Sequence, residues 1–351
     1  MACSWILVDQ AISLFYGLPP ILNVSELQCR LPASERLWLP PNPEAWAEAW
    51  REEFGADHPP WNAMSHQSSL SLRDLFKLLV SGKLDVRVKR PAPLHMMLLL
   101  FPIQTLVMNF SQLSSCSSER GSSTTSIHLH SRELLFDDLQ QLMHRWSQTF
   151  RRIEKRGFRG KAMAESALAL YHVINLNLYT SFARLESFAR RETSNESLAR
   201  VSRWIRDPGR ALAHCGRIFA LFRGMGDAQQ PIWSAGAIYR ATIVLWAISI
   251  SGLHGSLRSD KEGFLWQNLG KDDHLATSPL SGDSSLHGLF HEENGRIFLI
   301  GHDGQLVELG DPQKCIQLGV DAMRRNCPTI PFTVGVILKL EAMAAVWEQA
   351  R

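Results

Sequence analysis

The sequence predicts a mainly α protein: a multi-helix, bundle-like domain with one small β-hairpin near 296–309. Three observations predict it. Apolar residues recur at three- and four-residue steps through most of the 351 residues. Helix stops and starts punctuate those runs: Gly17 before Pro19-Pro20, Asn42-Pro43, Gly82 and Asp311-Pro312. The period changes once, in RIFLIGHDGQLVEL (296–309), where two short apolar runs flank His302-Asp303-Gly304.

Residues 3–17 read as a helix ended by Gly17, and 18–42 as irregular chain. Asn42 and Pro43 open a short helix with Trp46, Trp50 and Phe54 on one stripe. After a loop at 55–69, Ser71 and Asp74 have the spacing of a capping box for a helix through Val80. A serine- and threonine-rich stretch then divides the chain into 1–113, a linker or insertion at 114–129, and 130–351. A helix over 130–156 carries Leu135, Leu139, Leu142 and Trp146 on one face. One long helix over 161–191 carries Leu168, Tyr171, Asn175, Leu178, Phe182 and Leu185. Helices follow near 196–206, 208–224 and 231–253, and 254–294 reads as a long loop. Asp311-Pro312 opens a helix that ends before Pro328. The last helix, 331–350, aligns Val336, Leu340, Met343 and Trp347.

Composition supports a packed core: 45% of residues are hydrophobic and 20% charged, which excludes wholesale disorder. The net charge of +3 is too small to imply a nucleic-acid partner by itself. The six cysteines, Cys3, Cys29, Cys116, Cys215, Cys315 and Cys327, form no C-x-x-C pair, so no zinc ribbon or finger can be drawn. Buried free thiols in a reducing compartment are expected. MACSWILVDQ lacks the basic start of a secretory signal. Two apolar stretches, 94–110 with Pro102 and 232–253 with Arg240, are expected to be buried bundle helices and not spans. An isolated charge at mid-bilayer costs about 2.5–3.5 kcal/mol on insertion scales.

Fragments that look catalytic fail on spacing. His291-Glu292 begins an H-E-x-x-H pattern, but Gly295 stands where the second histidine belongs. Gly160-Lys161 lacks the other residues of a phosphate loop, and no G-x-S-x-G elbow exists. His128, His130 and His287 lie in loop-like, serine-rich stretches. Asp137 and Asp138 offer the one alternative reading, metal ligands of a helical isoprenoid-type enzyme. Adjacent aspartates point in different directions on a helix, however, and no partner carboxylate cluster follows. No catalytic residue, cofactor or metal is therefore expected. The sharpest charge feature is a basic run, Arg151, Arg152, Lys155, Arg156, Arg159 and Lys161. It has the composition of a nuclear-localisation patch, and equally of a solvated helix end.

Four segments together resemble one family. They are ILVDQAISLFYGLPP and the proline-punctuated chain after it (6–46, with Gly17, Glu26, Leu31, Pro32, Leu37, Trp38 and Trp46), GRALAHCGRIFALFRGM (209–225), PIWSAGAIYRATIVLWAISI (231–250), and the 303–347 stretch with its G-x-x-x-K-L…W close. Their order resembles the middle homology region of fungal-specific transcription factors, of the C2H2 or binuclear zinc-cluster type. The resemblance implies an α-helical regulatory domain acting in the nucleus, with no membrane role. Its expected partners are co-regulator proteins, a second copy, or a small-molecule effector held between helices. The family's zinc DNA-binding module and the first half of its middle domain have no counterpart here. Zinc and DNA contact are thus expected of no residue in this chain, which reads as a fragment, a truncated gene model or a regulator without DNA contacts.

Overall fold

A computed structural model describes residues 2–23, 27–28, 30–32, 37, 40–54, 70–84, 91–119, 126–154, 161–191, 198–226, 230–253, 290–293, 296–301 and 304–349. The helices are α1 (Ala2–Tyr16), α2 (Pro43–Phe54), α3 (Leu72–Val80), α4 (Pro93–Glu119), α5 (Ser126–Glu154), α6 (Lys161–Tyr179), α7 (Phe182–Ala189), α8 (Leu198–Trp204), α9 (Pro208–Gly224), α10 (Ser234–Ile250), α11 (Pro312–Asn326) and α12 (Pro331–Glu348). The strands are β1 (Phe290–Glu293), β2 (Arg296–Ile300) and β3 (Leu306–Glu308). The mainly α fold with a small hairpin is as the sequence predicts.

Local chemistry sets the helix ends. Gly17 takes φ +66° just past α1, a conformation that side chains with a Cβ rarely adopt. The Asn42 side chain accepts the Ala45 amide at 2.8 Å to open α2. Ser71 and Asp74 close the capping box of α3, and Gly82 at φ +69° stops it. Asp207 and Asp311 cap α9 and α11, each followed by proline in the first turn.

The helices stack in sequence of contact. Helices α1, α3 and α5 lie against α4, α4 against α6, and α6 against α9. Helix α9 lies against α10, which in turn is covered by α7, α11 and α12. One hydrophobic cluster runs through all of them, from Ile6 to Met343. Every residue of α6 from Ala164 to Tyr179 is buried, as is every residue of α10 from Ser234 to Ser249. A helix covered on all sides has no polar face, which is why these two lack amphipathic patterning. One described helix is long and apolar enough to cross a membrane, Pro93–Ser114 of α4, and 67% of its most apolar window is buried within the protein.

Several expectations change. The stretch expected as a break at 114–129 is helical at both ends, because α4 runs on through Glu119 and α5 begins at Ser126; residues 120–125 lie outside those described. Serine and threonine lower helix propensity only slightly, too little to end a helix already propagating. The 161–191 helix is two helices. At the break, the Thr180 hydroxyl turns back to the Leu176 carbonyl. The Ser181 amide bonds the Trp204 carbonyl, and the Arg206 amide bonds Tyr179, a two-residue bridge that replaces helical bonds. On α5, Leu139, Leu142 and Trp146 are buried as the spacing predicts, but Leu135 is exposed and Phe136 is buried in its place at the start of the stripe. The long loop at 254–294 yields a strand at its end: Phe290–Glu293 pairs antiparallel with β2, making a three-stranded meander. With a single apolar residue, β1 carries almost no pattern to read. Residues 254–289, the 55–69 loop and His302-Asp303 lie outside the described residues.

Candidate functional site

The lone cation of the apolar 232–253 stretch sits at the centre of a connected polar cluster. Arg240 is buried on α10. Its Nη2 donates to the Leu14 carbonyl in the last turn of α1 at 2.6 Å, and Nη1 reaches Asn177 Oδ1 of α6 at 3.5 Å. Its guanidinium carbon lies 4.3 Å from the Phe182 ring centre. A cation at a helix C-terminus bonds an orphan carbonyl and opposes the negative end of the macrodipole. Gly17 lies beside the guanidinium, and a Cβ there would sit in ordinary contact with Arg240 Nη2 at 3.5 Å; its φ of +66°, and not the space, is what calls for glycine.

Around Arg240 the charges are matched. Glu186 of α7 accepts the Tyr239 hydroxyl at 2.7 Å and pairs with Lys339 of α12. Lys339 Nζ lies 5.0 Å from the Tyr239 ring centre. Burial pushes the Glu186 carboxyl up, but hydrogen bonds from Lys339 and Tyr239, with the Lys339 and Arg240 charges, outweigh it and hold the carboxyl below its ordinary value. Burial draws the Arg240 guanidinium down to about 10, opposed by Glu186, so it stays charged at neutral pH. Burial and the neighbouring Glu186 push the Tyr239 phenol far up. These groups border a cavity of about 170 Å³.

The geometry gives each residue of the YRAT run a packing task. Tyr239 holds Glu186 and Arg240 holds α1. The Ala241 carbonyl accepts the Cys215 thiol of α9 at 3.5 Å. Thr242 fills the space over Gly319 of α11, where an added Cβ would fall 2.0 Å from Thr242 Oγ1. Beyond them, Trp246 packs 5.2 Å from Trp347, whose indole donates to the Ala189 carbonyl at 2.7 Å. Segments 6–46, 209–225, 231–250 and 303–347, far apart in sequence, thus meet around α10.

A second buried pair went unnoticed in the sequence. His172 and His214 share one proton between their Nδ1 atoms at 2.9 Å, one ring donating and the other accepting. Burial first, then the charges of His214 and Arg217, hold His172 well below 6.5, so it is neutral. Periodicity marks such positions only as core.

The other sequence candidates are not brought together. Asp137 and Asp138 are exposed on α5, and among the described residues no group of three His, Cys, Asp or Glu is placed to hold a metal. His130 and His291 are exposed. Cys215, Cys315 and Cys327 are buried and unbridged and Cys3 is half-buried, so these residues do not fit a zinc cluster. Burial pushes the Cys315 and Cys327 thiols up to about 12 and about 11. In the basic run, Arg152 is exposed, Arg151 is half-buried, and Lys161 is exposed and pairs with Glu165 at 3.5 Å; Lys155, Arg156 and Arg159 lie outside the described residues.

Fold and cluster together define a helical scaffold whose motif residues pack helices against one another. The chain is similar to fungal proteins named as transcription factors. It is 33% identical over 260 residues to transcription factor 1 of Elsinoe fawcettii, covering 72% of this chain and 27% of that protein. It is 34% identical over 267 residues to transcription factor PfmaH of Pestalotiopsis fici, with the same coverage. With transcription factor opdJ of Penicillium oxalicum it shares 26% identity over 401 residues, covering 98% of this chain and 44% of that protein. The chain thus spans about a quarter to under half of the length of these relatives. No protein-family model matches it, and neither does any solved structure.

Proposed function

We propose that this chain is the regulatory region of a fungal transcription factor, working in the nucleus through contacts with co-regulator proteins, a second copy or a small effector. The observation that carries the reading is identity of 33–34% to named transcription factors across 72% of the chain. The motif residues that resemble the middle homology region support it, because they build one helical body and leave cavities between helices. Contact with DNA, and the zinc that serves it, belongs to a module of the family without counterpart among these residues. The basic run from Arg151 to Lys161 serves import.

The test is a reporter assay. The chain, fused to a heterologous DNA-binding domain, is expected to raise or lower transcription from a promoter carrying that domain's site. A fusion that accumulates in the nucleus and leaves the reporter unchanged would overturn the reading. Separately, a fluorescent fusion with Arg151, Arg152, Lys155 and Arg156 changed to glutamine is expected to lose nuclear enrichment.

A further inference from the structure

On the far side of the α6–α7 break from Arg240 lies a second cavity, also about 170 Å³. Four arginines border it from separate elements: Arg132 of α5, Arg184 of α7, Arg203 of α8, and Arg206 just beyond α8. No carboxylate is among its described lining residues. Glu133 pairs with Arg206 and, at 3.8 Å, with Arg132. Its side chain is 50% exposed, so these pairs are weak and easily exchanged. Two polar atoms at the cleft are buried and unpartnered, Arg132 Nε and Ser114 Oγ. Phe110 and Trp204, both buried, form an apolar part of the wall.

We infer that this cleft binds a small organic dianion, a phosphate monoester or a dicarboxylate with a short apolar or aromatic body. Guanidinium groups present parallel donors that match carboxylate and phosphate oxygens two at a time. Converging cations with low-dielectric walls concentrate anions. The apolar wall favours an organic anion over a bare inorganic one. The volume is below that of pockets for drug-sized ligands, which sets the size class. Arg132 Nε and Ser114 Oγ supply the donors that the folded chain leaves unused. The inference rests on the regulatory reading only in treating this ligand as an effector; the binding itself does not depend on it.

The purified chain is titrated by calorimetry with phenyl phosphate, phthalate and inorganic phosphate. Saturable binding of phenyl phosphate or phthalate, tighter than that of inorganic phosphate and weakening with salt, is expected; which of the two binds identifies the headgroup. Arg203→Gln and Arg132→Gln are each expected to weaken it about tenfold, the effect of one charge-assisted hydrogen bond. Arg203 is exposed and in no ion pair among the described residues, so its variant stays folded. No saturation at millimolar ligand, or equal affinity in wild type and Arg203→Gln, would sink the inference. A failure here with an active reporter fusion removes the ligand site and leaves the regulatory reading standing.

Discussion

The two cavities beside the α6–α7 break use the same kinds of residue to opposite ends. They share Ser111, Asn177 and Thr180 in their walls. On one side Arg240 is buried, bonded to Leu14 and Asn177, and faces Glu186, itself bonded to Tyr239 and Lys339. On the other side four arginines converge on the cavity, two of them paired with the half-exposed Glu133. Charge matched inside the fold holds helices together. Charge gathered around an open cleft is a standing capacity for a ligand. Counting arginines does not separate the two; tracing the partner of each one does.

Removing charge from each side should break this comparison most sharply. Arg240→Leu leaves the Leu14 carbonyl without its donor and Glu186 with one cation fewer, and is expected to cost about 3 kcal/mol. Urea unfolding checks it, and a change under about 0.5 kcal/mol would mean the cluster is not structural. Gly319→Ala, against the same helix α10, is expected to cost about 2 kcal/mol by overpacking on Thr242. Adding Thr242→Ala should recover part of it, and a strictly additive double-mutant cycle would refute the contact. Arg203→Gln in the cleft is expected to stay within about 0.5 kcal/mol of wild type in the same assay.

Acid sharpens the contrast further. His172 binds its proton less readily folded than unfolded. Its contribution is complete above about pH 6.5 and is lost as pH falls below that value. Glu186 is likewise depressed, so its contribution is present above 4.5 and fades below. Thermal melts between pH 7 and pH 5 should show His172→Gln with a flatter decline than wild type. Arg203→Gln leaves both of these buried groups in place, so it should parallel wild type.

The fold was legible where residues act locally. Caps at Asn42, Ser71 and Asp311 and the stop at Gly17 need only a few neighbours, and all lie where the sequence places them. What escaped depends on distant residues. The break after Tyr179 exists because residues 204–206 pair with it. The burial of Phe136 in place of Leu135 reflects what Phe136 meets, Phe110 at 5.9 Å and Tyr179 at the same distance. Arg240 was visible as an odd charge in an apolar run, but its partners Leu14, Asn177 and Glu186 are unreadable from spacing. The arginines of the cleft are scattered over seventy-odd positions, and no local window joins them.

The bond from Arg240 to Leu14 spans 226 residues. Translation proceeds at about 5–20 residues per second, so roughly 10–45 s separate the emergence of its two ends from the ribosome. Helix α4 arrives earlier, and its Gln104 Nε2 donates to the Ser13 hydroxyl oxygen at 2.8 Å. A nascent chain can therefore seat α1 early but lock its end only late. Through that interval Trp5, Ile12 and Tyr16, exposed even in the finished fold, have only part of their eventual neighbourhood beside them. Helix α1 is thus seated before α10 exists and secured only after it, and that interval of synthesis is where a chaperone would have its opportunity.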